Sequence, residues 1–146
     1  MRLIVLTGLA TIEKGALASD LADYFLQHGE TVMVVDNITR QPIKNLSVPP
    51  YRITGDIVTQ LTDVLSTIAS DIVLLAISEQ VHPDKLWIAL DNLTTQFDTI
   101  EIQTLALIDT RTCDCFPNVR ESLESYADTV VMLPYNLDEV LNHVNP

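Results

Sequence analysis

The residues that could do chemistry lie in the short segments between apolar runs. Lys14 follows the apolar start MRLIVLTG and precedes a helical pattern, where an ammonium could meet an anion. A lone lysine after a strand is more often an ordinary solvated loop residue. Asp36 closes the run TVMVVD. A carboxylate there serves a site or caps the turn that follows. Asp109, Arg111 and Thr112 follow the run IQTLALI, and Arg111 could pair with an anionic ligand or with Asp109 beside it. Cys113 and Cys115 flank a single residue. That spacing strains a disulfide, and two thiolates do not complete a zinc site. His28, His82 and His143 show no ligand spacing. No Ser-His-Asp, Cys-His or paired-carboxylate constellation stands out, so neither a catalytic residue nor a metal ligand is assigned.

The elements that must position these residues are read from periodicity. Residues 2–7, 31–36, 71–77, 102–108 and 129–133 are apolar and rich in β-branched residues, as buried strands are. A further short strand is expected at 51–54. Leu17, Leu21, Tyr24 and Phe25 share one face of a helix expected over 16–28, with Gly29 as its C-cap. Ile57, Leu61, Val64, Leu65 and Ile68 mark a second helix face, and Leu86, Leu90, Leu93 and Phe97 a third, opened by Pro83. Val119, Leu123 and Tyr126 mark a fourth. Asn136 with Glu139 starts a last helix with Leu137, Val140, Leu141 and Val144 inward. Residues 37–50 hold three prolines and read as loop. Trp87 flanks the third face, either exposed as a partner anchor or partly buried. Asp20, Asp23, Asp84, Asp91 and Asp98 fall on outer helix faces, where solvation explains them.

Strands alternating with helices imply a parallel sheet covered on both faces, with ligands at the carboxyl ends of the strands. A chain of 146 residues suggests one domain over 1–146. The net charge of −12 disfavours direct DNA binding and anionic membrane surfaces, because both rely on clustered Lys and Arg. No apolar run approaches the roughly 20 residues of a membrane helix. The start lacks the longer apolar core of a signal peptide, so a cytoplasmic location is expected.

The stretch TGLATIEKGALASDLADYFLQHGETVMVVD resembles the opening of the ParA/MinD family of P-loop ATPases. That family joins a strand, a loop of the type KGGxGKT, a helix, a Gly turn and a strand ending in Asp. Gly29 and Asp36 set the register and place Lys14 on the family's phosphate-binding lysine. The rest of the loop departs from the pattern. Leu9 replaces the signature lysine, Ala10, Thr11 and Glu13 replace three glycines, and Gly15 replaces the magnesium-holding Ser or Thr. The second acidic residue after the second strand would fall at Ile38. The metal-binding (Walker B) aspartate has two candidate positions. Taking 51–54 as the remnant of that strand puts Thr54 there and fits better, whereas taking 71–77 puts Ala76 there. The passage LALIDTRTCDCFPNVRESLESYADTVVMLPYNLDEVL is also similar, with Asp109, Arg111 and Thr112 on the family's Asp-x-Arg-Thr turn and Pro134 near its adenine position.

The resemblance implies a shortened three-layer α/β fold of the P-loop NTPase kind, with the shortfall around 37–70. It implies a vestigial nucleotide site at Lys14, Asp36 and Arg111, eroded where ATP and magnesium would be held, and no required cofactor. The function expected is that of a non-catalytic ParA-like pseudo-ATPase. It would act as a protein-interaction module in plasmid or cargo partitioning, positioning or conjugation. The alternatives are a divergent ATPase or a nucleotide switch without hydrolysis. A protein partner is expected. Any homodimer would be nucleotide-independent, since Leu9 lacks the cross-subunit lysine contact.

Overall fold

The chain is described here by a computed structural model covering residues 1–38, 43–110 and 115–145. The apolar runs form β1 (Arg2–Thr7), β2 (Val32–Asp36), β4 (Ile72–Ala76), β5 (Glu101–Ile108) and β6 (Thr129–Met132), and Tyr51–Arg52 form the short strand β3. Between them lie α1 (Thr11–Gln27), α2 (Ile57–Ser66), α3 (Pro83–Gln96), α4 (Pro117–Tyr126) and α5 (Leu137–Val144). The strands pair in the order β3-β2-β4-β1-β5-β6, and every pairing among them is parallel.

Alternation along the strands fixes the layers. Leu3, Val5, Val73 and Leu75 face α2 and α3, where they meet Ile57, Leu61, Leu65, Leu86, Leu90 and Leu93. On α4, Leu123 closes over Ala106 and Ile108. The intervening residues Ile4, Leu6, Val34, Leu74, Leu105 and Leu107 face the opposite way, onto Leu17, Leu21 and Phe25 of α1 and Val140 and Val144 of α5. Each fully buried aliphatic side chain of this kind contributes about 1.5–3 kcal/mol. The result is a three-layer P-loop NTPase-like fold.

Local signals account for most helix starts. Asp56 accepts from Val58 N at 3.0 Å to open α2, and Asn136 accepts from Asp138 N and Glu139 N to open α5. Gly29, just past the end of α1, takes φ +79, which a glycine adopts without strain.

Several expectations change. Helix α1 begins at Thr11, five residues before the expected start at residue 16. Its N-cap Ala10 supplies no side-chain hydrogen bond. With Ala10, Thr11 and Glu13 in place of glycines, nothing holds the chain out of a helix, so it winds immediately. β3 is two residues long where four were expected. Tyr126 is 56% exposed, although its spacing placed it inward, while Trp87 is 7% exposed and so is no exposed anchor. Asp20 and Asp23 are not merely solvated. Tyr135 Oη donates to Asp20 at 2.6 Å, and Ser47 Oγ donates to Asp23.

The sheet order also bears on the two metal-strand positions. A carboxylate holding a metal at the β1 loop has the shortest reach from a strand close to β1. Of the two candidate strands, β4 lies beside β1 and β3 lies at the sheet edge beyond β2. That placement favours Ala76, in register with Leu6, over Thr54 as the corresponding position.

Candidate strand-end site

The β1–α1 connection is only Gly8, Leu9 and Ala10. In a phosphate loop, successive backbone N–H groups wrap the anion. Here Lys14 N is already spent on Ala10 O at 3.1 Å, as the helix ladder requires. Gly8 sits at φ +123, and a Cβ built on it would lie 2.3 Å from Leu107 O. Glycine is needed at that point for backbone packing against β5.

Lys14 is the largest departure from a phosphate site. Its side chain is 0% exposed. Nζ donates to Gly8 O and to Ile77 O, each at 2.6 Å. Such charge-assisted bonds are short and strong. They staple the β1 turn to the end of β4. Burial lowers the Lys14 pKa to about 8, with the Glu79 carboxylate acting in the opposite direction. Glu79 in turn accepts from Thr11 Oγ1 at 3.3 Å. Its carboxylate is thus an anion built into the chain, within electrostatic reach of Lys14.

Asp36 is 1% exposed and committed to its own loop. Oδ1 accepts from Ile38 N at 2.9 Å, and Oδ2 accepts from Ile43 N at 3.2 Å and from Arg52 Nη1 at 3.0 Å. Both oxygens therefore serve the turn after β2. Asp36→Ala should lower stability by roughly 2–4 kcal/mol, because three donors lose an acceptor. Urea unfolding followed by circular dichroism measures this. A loss under about 0.5 kcal/mol would mean the loop holds without the carboxylate.

Lys14 and Asp36 thus sit at the same end of the sheet, and each is engaged by its own backbone. Arg111, Thr112 and Cys113 lie outside the described residues. Cys115 is exposed. Among the described residues, no three His, Cys, Asp or Glu side chains are placed to hold a metal. Among the described residues, no helix is long and apolar enough to cross a membrane.

Sequence reasoning missed Glu79 and Asn37. Asn37 is buried, donating to Ile53 O and Gly55 O at 3.3 and 3.4 Å and accepting from Ser78 N at 3.2 Å. It joins the ends of β2, β3 and β4. Its position directly after Asp36 at a strand end was the available signal.

Two clefts flank the staple. One of about 410 Å³ lies outside the first turn of α1, lined by Thr11, Ile12, Gly15, Ile43 and Lys44. The other, about 110 Å³, lies across the sheet beside Leu9, Glu79 and Val81. Gly15 leaves room, since a Cβ there would lie 3.6 Å from Ile43 Cγ1, an ordinary contact.

No family model and no curated protein matches this sequence. Solved structures do match the fold. The signal recognition particle 54 kDa protein of Aeropyrum pernix K1, in complex with GDP, gives a TM-score of 0.57 at 17% identity over 89% of this chain. FtsY of Mycoplasma mycoides gives 0.59 at 14% identity over 90% of this chain. FlhF complexed with GMPPNP and magnesium gives 0.54 at 15% identity over 99% of this chain. This chain spans 34%, 51% and 62% of those three chains respectively. At such identities the likeness establishes the P-loop NTPase fold.

Proposed function

We propose that this chain is a non-catalytic P-loop protein, a ParA/MinD-like pseudo-ATPase that works as a protein-interaction module in partitioning or positioning. The inward Lys14 carries this reading. Its ammonium is spent on Gly8 O and Ile77 O and is shielded from any ligand in the clefts. Ala76 and Gly15 supply no ligand for magnesium, and Ile38 supplies no base. Hydrolysis would need all three functions. The surface remains, and at −12 it favours a partner with a basic face.

The test is calorimetric titration of the purified chain with ATP and with GTP, each with magnesium. No saturable heat up to about 1 mM nucleotide is expected. Gel-filtration elution should be the same with and without ATP. Binding in that range, or an ATP-driven shift in elution, would overturn the reading.

A nucleotide-binding switch without hydrolysis is favoured by one observation, the 410 Å³ cleft with Lys44 on its wall. Its volume falls within the range of ligand sites. Under this second reading the cation facing a phosphate is Lys44. Binding would then be lost in Lys44→Ala with the fold intact.

A further inference from the structure

The chain has one tryptophan, and it stands apart from the strand-end site. Trp87 on α3 packs against Tyr126 at the end of α4, with ring centroids 5.7 Å apart. Its indole N–H is buried and has no acceptor among the described residues. Leaving a buried donor unmade costs about 1–3 kcal/mol. Trp87 also forms part of the wall of an open groove of about 260 Å³, shared with Tyr126, Asp91, Asp128 and Thr104. Asp91 and Asp128 are exposed, and so is the Tyr126 ring. Asp128 is held in position, its Oδ2 accepting from Thr104 N at 2.8 Å and from Thr104 Oγ1 at 3.0 Å.

We propose that this groove takes an arginine side chain from a basic segment of a partner protein. The proposal rests on the interaction-module reading. An exposed aromatic face beside two carboxylates offers a cation both ring stacking and charge. A planar guanidinium uses both at once, which an ammonium does less well. The unmatched indole N–H calls for an acceptor that arrives with the ligand, and the backbone carbonyls of a peptide supply one. The chain's −12 charge draws a basic segment toward the groove.

Trp87 makes the test direct, because its emission is the chain's only tryptophan signal. The full chain is titrated with acetyl-Gly-Gly-Arg-Gly-Gly-amide, and in parallel with the same peptide carrying citrulline, which has the shape without the charge. A saturable change in Trp87 emission is expected with the arginine peptide. At least a tenfold weaker response, about 1.4 kcal/mol, is expected with citrulline and for Asp91→Asn with the arginine peptide. Asp91 is exposed and carries none of the fold, so the variant remains folded. No response up to about 10 mM arginine peptide would overturn the proposal. Equal responses to the two peptides, or an undiminished response in Asp91→Asn, would do so as well. The nucleotide titration is read on the other side of the molecule. A failure here leaves the non-catalytic reading standing, and nucleotide binding there leaves the groove to be judged by its own titration.

Discussion

Gly8→Ala should destabilise the chain by roughly 3 kcal/mol or more, a large share of a small domain's total stability. Two independent terms add at this position. The backbone is at φ +123, which alanine adopts only with strain. The new Cβ would also stand 2.3 Å from Leu107 O. That neighbour is main chain of β5, an interior strand paired to β1 and β6, so it cannot step aside as a side-chain tip would. A shift of the turn would also move the Gly8 carbonyl that Lys14 holds at 2.6 Å. Gly15→Ala is the matched comparison. Its Cβ meets Ile43 at an ordinary 3.6 Å, and alanine replaces glycine within α1. It should stabilise by about 0.5–1 kcal/mol. Urea midpoints of the two variants test the pair. Equal midpoints would mean the β1 turn is loosely packed, against the geometry.

The contrast between these glycines also shows what could be read beforehand. That Gly8 ends a strand and Gly15 opens a helical stretch is visible in the letters. Which of them touches a neighbouring backbone is a property of strands far apart in the chain, and no local pattern carries it. The strands and helix faces were legible because burial imposes periods of 2 and 3.6. Strand order was not, since no local pattern says which strands lie side by side. The loss of loop glycines was plain in Ala10, Thr11 and Glu13. Its consequence, that α1 starts at Thr11, follows from helix propensity once the glycines are gone.

The candidate residues divide the same way. Lys14 and Asp36 were found by register against a known pattern, and the side chains of both lie at the same end of the sheet, Lys14's reaching there from α1. Register places a residue along the chain but does not say which way its side chain turns. Lys14 turns inward because the end of β4 offers Ile77 O, and Asp36 turns to its own loop because Arg52 arrives from β3. Both partners come from other strands. Glu79 and Asn37 escaped notice for a related reason. Polar residues in connections belong to no period, and although Asn37 stands beside Asp36 at a strand end, the weight of both comes from three-dimensional neighbours.

Lys14 carries the other large effect, and its sign follows from burial. The folded chain releases the Lys14 proton near pH 8, while the unfolded chain keeps it to about 10.5. Between those values the unfolded state binds more protons, so stability rises with pH across the window. The full rise is roughly 3 kcal/mol. A neutral amine still has two N–H groups, one for each of Gly8 O and Ile77 O, so releasing the proton keeps the staple. Tyr135 acts in the opposite direction. Burial and the bond to Asp20 hold its phenol protonated well above its usual value, so stability falls as the unfolded tyrosine ionises above pH 10. Stability should therefore climb from pH 8 and turn over near pH 10. Lys14→Met should be less stable than the parent by roughly 2–4 kcal/mol at pH 9, because both carbonyls lose their donor, and it should show no climb. Tyr135→Phe should keep the climb and remove the fall. Urea unfolding from pH 7 to 10.5 separates the three curves. Parallel curves for the parent and Lys14→Met would mean that Lys14 titrates as a solvated lysine, with its ammonium outside the strand-end pocket. A cation in that position is one a phosphate could reach, and the interaction-module reading would then give way to a nucleotide switch built on Lys14 as well as Lys44.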